Sequence, residues 1–261
     1  MRVLVTNDDG IEAPGLWALT AAMVELGLDV VAAAPLDDRS GSGAALGNLG
    51  PGGTIAIRRT ELPGLPGTEA YGVDGPPGLS VLAARQGGFG DPPDLVVSGI
   101  NPGHNTGRAV LHSGTVGAAL TAANFGVSGL AVSTGGLRPD GSDPAWGTAA
   151  TYAAACIEWL RAAPRRTVLN VNVPDLPRAE VRGVRWATLA PFGTVRTTLI
   201  SRSDEHLQLE LRGTEDVLPA DCDTTLVKEG FVAVTALAGV READHVPVAE
   251  HIERQALRPT A

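Results

Sequence analysis

The sequence predicts an α/β protein, with a parallel sheet covered by helices on both faces and an antiparallel extension at its C-terminal end. Three observations predict it. Short apolar runs alternate with stretches of helical periodicity up to about residue 175. Gly and Pro, 33 and 19 of 261 residues, are concentrated between those stretches, where an α/β chain needs its turns. After Pro174 the pattern changes to strand-like runs without helices between them. At 44% hydrophobic residues the chain can build one sizeable core. A single domain over 1–261 is therefore expected, with the site in a core of 1–175 and an antiparallel extension over 176–261.

Residues 3–6 (VLVT) are apolar throughout, as a strand buried on both faces requires. Pro14 suits a first helical position, where its missing N–H costs nothing. Leu16, Leu19, Met23 and Leu26 follow at helical spacing, and Gly27 supplies a C-terminal stop. A second strand is expected over 28–34, closed by Pro35. Residues 39–53 (RSGSGAALGNLGPGG) are especially Gly-rich, and 48–53 read as a surface loop. DLVVS (94–98) and LAVS (130–133) read as strands, with a helix over 114–125 between them. A loop over 134–144, a helix over 145–162 and a strand over 168–173 (VLNVNV) follow. Within that helix, Cys156 should pack as a small hydrophobe.

Further strands are expected over 184–189, 195–200 and 207–211. HLQLEL alternates with period two, the mark of a half-exposed hairpin strand. Residues 230–237 form another apolar run, and a closing helix is expected over 248–257. This extension reads as a device for oligomerisation.

Composition excludes several function classes. With 20 basic and 29 acidic side chains, a net charge of −9 and a pI near 5.0, the chain lacks the basic footprint of a duplex nucleic-acid binder. Its one lysine, Lys228, argues against lysine chemistry. Cys156 and Cys222 are too few for a disulfide framework or a thiolate zinc site. The chain opens as a strand, MRVLVTNDDG, and no apolar run reaches membrane-spanning length. No membrane partner is expected, and the expected location is cytoplasmic.

Four motifs carry candidate chemistry. Asn7-Asp8-Asp9-Gly10 stands at the end of the first strand, where open α/β sheets bind ligands. In a turn permitted by Gly10, both carboxylates converge, and paired carboxylates call for a hard cation such as Mg²⁺, Mn²⁺ or Ca²⁺. DRSGSG (38–43) follows the second strand and offers the Ser40 hydroxyl. SGINPGHNTG (98–107) follows a third strand, with Asn101 as a neutral oxygen ligand and Asn105 as a donor to an anion. SGTVGAA (113–119) opens a helix, where backbone N–H groups and the hydroxyls of Ser113 and Thr115 favour a phosphate. It lacks the Gly-Lys-Ser/Thr ending of a Walker loop. Taken singly, each motif also describes an ordinary turn or helix cap. All four fall on one edge of a parallel sheet, which puts a divalent metal beside a phosphate cradle.

These stretches, MRVLVTNDDGIEAPGL, APLDDRSGSG, PDLVVSGINPGHNTG and SGTVGAAL, closely resemble the SurE family, collinearly from residue 1 to about 133, and LNVNVP (169–174) resembles a later family segment. The family's members are metal-dependent nucleotidases acting on nucleoside 5′- and 3′-monophosphates. The resemblance implies a Rossmann-like three-layer α/β/α sandwich, with a C-terminal β-hairpin and helix exchanged between the subunits of a homodimer or homotetramer. It implies one divalent metal held by Asp8, Asp9, Ser40 and Asn101; the mechanism expected from that set makes Asp8 and Asp9 the catalytic candidates, one of them as general base or nucleophile. It places phosphate contacts at Asn105, Ser113, Gly114 and Thr115. The sequence departs from the family pattern at His112, usually Tyr, and at 75–81 (GPPGLSV), where the family has an Asp. It also departs at 42–47 and at Asp223-Thr224-Thr225-Leu226.

The expected reaction is hydrolysis of a nucleoside monophosphate to nucleoside and phosphate. The departures keep two alternatives open, a phosphatase for other small phosphate esters or polyphosphate, and a non-catalytic nucleotide-binding relative. His104 and His112 are candidate acids for the leaving oxygen, with a loop residue as the plainer reading of His104 and a capping or packing residue as that of His112. His206, His245 and His251 are expected at the surface or an interface.

Overall fold

The computed structural model describes residues 1–136, 138, 140–191, 195–203, 205–213, 217–242 and 252. In chain order its elements are β1 (Arg2–Thr6), α1 (Pro14–Glu25), β2 (Asp29–Pro35), β3 (Ile57–Thr60), β4 (Glu69–Val73), α2 (Pro77–Arg85), β5 (Leu95–Pro102) and α3 (Gly114–Asn124). There follow β6 (Ser128–Thr134), α4 (Trp146–Ala162), β7 (Val168–Asn172), β8 (Val184–Trp186), β9 (Val195–Arg202), β10 (Leu207–Gly213), α5 (Asp223–Lys228) and β11 (Val232–Leu237).

One sheet runs in the order β3-β4-β2-β1-β5-β6-β7-β11-β8. From β4 through to β7 neighbouring strands are parallel; β3 and β11 pair antiparallel with β4 and β7. Side chains alternate across it as the strand period demands. Val3 and Val5 face α1 and α4, meeting Leu16, Leu19, Met23, Ala149, Ala153 and Ile157. Leu4 faces the other way, into a cluster with Leu79, Val81, Ala118 and Ala122 of α2 and α3. Burying both sheet faces in this way gives the three-layer α/β/α arrangement expected from the sequence.

The chain leaves β1 outward to β2 and β4, then returns to β5 on the other side of β1. That reversal opens a crevice between the carboxyl ends of β1 and β5, the usual ligand position in such sheets. β5 runs further than the expected 94–98. It breaks register against β6 between Ser98 and Asn101, which carries Asn101 to the sheet edge.

Beyond residue 175 the molecule differs from an all-strand extension. α5 lies between β10 and β11, its first-turn residues Asp223 and Thr224 buried. β11 and β8 extend the main sheet, while β9 and β10 form a separate antiparallel hairpin. The expected closing helix over 248–257, like His245 and His251, lies outside the described residues apart from Ile252. His206 is exposed. Cys156 and Cys222 are both free thiols, and burial pushes the Cys156 thiol up to about 11, as for an inert packing residue.

Candidate active site

The turn after β1 is closed by Asn7, whose Nδ2 donates to Gly10 O and whose Oδ1 accepts from Gly10 N, both at 3.1 Å. Gly10 has a φ of +112°, a conformation that an L side chain rarely adopts. Ile11 N donates to Pro35 O at 2.8 Å and Arg39 N to Asp8 O at 2.7 Å, so the turn is fixed against the end of β2.

Asp8 is 3% exposed and is the centre of the site. The Thr115 hydroxyl donates to its Oδ1 at 2.5 Å, and Gly114 N donates to its Oδ2 at 3.1 Å. Thr115 Oγ1 also lies 3.2 Å from Asn101 Oδ1. The Asn101 amide is oriented by its Nδ2, which donates to Gly103 O at 2.6 Å. Residues from the first, third and fourth motifs, up to 107 positions apart, thus meet at the crevice. The second motif arrives through Ser42. A Cβ placed on Gly114 would fall 2.6 Å from Ser42 Oγ and 2.7 Å from Asp8 Oδ2, so only glycine fits at the start of α3.

Asp9 is held differently. Its Oδ2 is buried and has no hydrogen-bond partner. Burial, with added repulsion from Asp8 and Asp38, pushes its carboxyl up to about 7. Asp8 is also raised by burial, against the opposing effect of its hydrogen bonds from Thr115 and Gly114. Ser40 is exposed. Its hydroxyl donates to Asp38 Oδ1 at 2.6 Å and its N–H donates to the same oxygen at 2.7 Å. The structure therefore joins Asp8, Asn101, Gly114 and Thr115 by direct contact and Asp9 by charge, while the Ser40 hydroxyl is turned to Asp38.

This donor set suits a hard cation. Its atoms are carboxylate, hydroxyl and amide oxygens. The orphan Asp9 Oδ2 is the kind of buried acceptor a cation would satisfy. Among the described residues no group of three His, Cys, Asp or Glu side chains forms a metal cluster, so the neutral oxygens of Asn101 and Ser40 would have to complete the set.

The stretches expected to contact phosphate are built from a different network. Ser113 caps α3, its Oγ accepting from Val116 N at 3.1 Å. Asn105 Nδ2 donates to Ser133 Oγ at 2.9 Å. Two residues that the motif reading did not single out, Asn170 and Asn172 of β7, bind the Asn105 backbone. Their signal in the sequence is a pair of amides at i and i+2 in an otherwise apolar strand, which puts both on one face. Asp223 Oδ2 accepts from Gly107 N at 2.8 Å, and Thr224 Oγ1 donates to Thr106 Oγ1 at 2.9 Å.

His104 Nε2 bonds Val173 O at 2.8 Å, which requires the Nε2–H tautomer, and burial holds the imidazole below its usual range. The one N–H of a neutral imidazole is thereby committed to a backbone carbonyl. His112 is exposed, and its carbonyl accepts from Gly43 N at 3.1 Å. On the far side of this loop lies a cavity of about 440 Å³, lined by Gly103, His104, Asp175, Thr224 and Lys228 among others.

A family model described as "Survival protein SurE" matches residues 3–193. A curated relative named 5′-nucleotidase SurE, from Erythrobacter litoralis, is 35% identical over 244 residues, spanning 91% of this chain and 93% of that protein. Another, named 5′/3′-nucleotidase SurE, from Serratia proteamaculans, is 35% identical over 242 residues, spanning 91% and 90%. Among solved structures, the crystal structure of the SurE protein from Aquifex aeolicus superposes with a TM-score of 0.77 at 27% identity, covering 98% of this chain and all of that one.

Proposed function

This chain belongs to the SurE family, and from that premise we propose how its site works as a phosphoric monoester hydrolase of the nucleotidase type. The substrate is a nucleoside 5′-monophosphate, with 3′-monophosphates as further substrates, cleaved to nucleoside and phosphate. The observation that carries the reading is the meeting of Asp8, Asn101, Gly114 and Thr115 at the β1/β5 crevice beside the unpartnered Asp9 oxygen.

Asp8, Asp9, Ser40 and Asn101 would hold one divalent ion, Mg²⁺, Mn²⁺ or Ca²⁺. Bound there, it supplies neutralisation of phosphate charge and a lowered pKa for water. Asn105, Ser113, Gly114 and Thr115 would bind the phosphate oxygens at the start of α3, where the helix dipole favours an anion; the Gly114 N–H and the Thr115 hydroxyl, which donate to Asp8 in this structure, would be shared with the phosphate. Of the two carboxylates, Asp8 has both oxygens committed to hydrogen bonds, which leaves Asp9 as the base for the attacking water. His104 is not the acid for the leaving oxygen, because its one N–H is committed to Val173 O.

The β9–β10 hairpin supports a homodimer or homotetramer, since it exposes Leu199, Ile200, Leu207 and Leu209, each 45–64% accessible. No described helix is long and apolar enough to cross a membrane, and we place the protein in the cytoplasm. The single domain carries the site residues in 1–175; within 176–261 the β9–β10 hairpin serves association, while β8, β11 and α5 complete the sheet and brace the 105–107 loop.

The experiment is phosphate release from a panel of nucleoside monophosphates, sugar phosphates and polyphosphate, with and without Mn²⁺, on wild type and Asp8→Asn. Metal-stimulated release from nucleotides that Asp8→Asn abolishes is the expected result. Faster release from the other esters would change the substrate class. Binding without turnover would make the chain a non-catalytic relative.

A further inference from the structure

We propose that Asn170 and Asn172 are positioning residues that set the geometry of the phosphate loop, acting through the peptide backbone of Asn105. This inference rests on the proposed contact between Asn105 and phosphate.

Asn172 accepts from Asn105 N through its Oδ1 at 2.8 Å and donates to Asn105 O through its Nδ2 at 2.9 Å. One side-chain amide therefore serves both backbone groups of a single residue, much as the residue opposite would in an antiparallel ladder. Asn170 Nδ2 adds a second donor to the same carbonyl at 2.8 Å. The loop is docked onto β7 at a place where no strand pairs with it.

Both asparagines are 0% exposed, and Val168, Leu169, Val171 and Val173 around them are buried apolar residues. Asn170 Oδ1 has no partner. A strand that served only the sheet would be better with β-branched apolar residues at both positions, since an orphan buried acceptor opposes folding. The amides are explained if what they fix is the neighbouring loop.

What they fix is a donor. With backbone N–H and C=O both held, Asn105 keeps its side chain on one line, with Nδ2 bound to Ser133 Oγ at the carboxyl end of β6. Asn105 itself is half-buried, so the second amide hydrogen remains available to an anion. On the far side Asp223 holds Gly107 N, so the loop is fixed from two directions before any substrate arrives. A preorganised donor of this kind stabilises developing charge without reorganisation at the moment of reaction.

The test is a double-mutant cycle on the full chain with Asn105→Ala, Asn172→Ala and the double variant. It is read by AMP hydrolysis with Mn²⁺ and by calorimetric binding of inorganic phosphate. The expected result is a loss of about tenfold to a hundredfold in kcat/KM for Asn172→Ala, weaker phosphate binding, and a double variant no worse than Asn105→Ala alone. Losses that multiply in the double variant, or wild-type kinetics in a folded Asn172→Ala, would overturn the proposal.

Asn170→Val keeps the test decisive if Asn172→Ala does not fold. It removes the orphan oxygen and suits a strand, so thermal stability should hold or rise while phosphate affinity falls. Lower stability with unchanged phosphate affinity would mean a purely structural role. Failure of the underlying reading looks different, because then wild type releases no phosphate or Asn105→Ala behaves as wild type.

Discussion

At the carboxyl end of β1, polar oxygens are buried that the chain itself leaves incompletely satisfied, whereas on the β9–β10 hairpin apolar side chains are exposed that the chain itself leaves uncovered. Asp9 Oδ2 has no donor, and Leu209 is 59% accessible opposite Leu199 at 54%. Both arrangements are unfavourable for an isolated subunit, for opposite reasons: one lacks a charge, the other lacks a surface. The difference separates the two kinds of incompleteness by function. On the function proposed above, the first is where a small charged ligand would be handled, and the second is where a second subunit would cover area.

The sharpest way to break that contrast is Asp8→Asn. If the crevice is built for charge, removing one carboxylate should cut metal-dependent phosphate release by on the order of a thousandfold. The metal-free protein should nevertheless remain as stable as wild type or gain stability, because two repelling, desolvated carboxylates become one. Phosphate release over an AMP titration, paired with thermal melts in chelator, reads both. A variant that keeps its activity would remove Asp8 from the chemistry, and one that unfolds would make the turn structural.

Asn101→Ala should have the next largest effect, a roughly tenfold to hundredfold loss of Mn²⁺ affinity by calorimetry. The amide oxygen lies 3.2 Å from Thr115 Oγ1, the hydroxyl that donates to Asp8. Unchanged Mn²⁺ titration would reject the ligand assignment and leave Asn101 as a loop residue that holds Gly103.

The same contrast explains which parts of the fold were legible in the sequence. β1, β2 and β5 were, because a strand buried on both faces has to be apolar throughout, and α1 was, because Pro14 and Gly27 mark its two ends. β3 was not: IRRT has one apolar residue, since an edge strand with exposed side chains needs no more. α2 begins Pro-Gly after a further Pro and looks like a turn, and α5 is six residues long, too short for a periodic signal. In the site, Asp8 and Asn101 were legible from residue type at a strand end. The clamp on Asn105 was not, because its partners lie 65 and 67 positions away and only topology brings β7 beside the loop. The Thr115 hydroxyl was assigned to phosphate by its place in a helix start, and in the folded chain it also serves Asp8.

On the hairpin side, Leu209→Lys should weaken self-association by roughly tenfold or more, because it puts a charge into the centre of the apolar cross-strand pair. Light scattering across a concentration series checks this, with circular dichroism confirming an intact fold. An unchanged mass distribution would show that the exposed leucines are not the contact between subunits.

The smallest effect is the pH dependence of the metal-free protein. An unfolded chain holds the Asp9 carboxyl near 3.8, and the folded site holds it at about 7. Between those values the folded state binds the proton and the unfolded state does not, so stability falls as pH rises from about 4 to about 7 and levels off above that. This contribution is opposite in sign to that of a salt-bridged carboxylate, which stabilises above its unfolded pKa. Thermal melts in chelator across that window should therefore show wild type losing a few degrees relative to Asp9→Asn, which has no proton to lose there. Adding Leu209→Lys to both proteins should leave this difference intact, since the charge deficit of the crevice and the uncovered hairpin are separate properties of the subunit. Parallel melting curves for wild type and Asp9→Asn across the same pH window would mean that Asp9 is not held against a charged state, and the crevice would lose its electrostatic distinction from the rest of the surface.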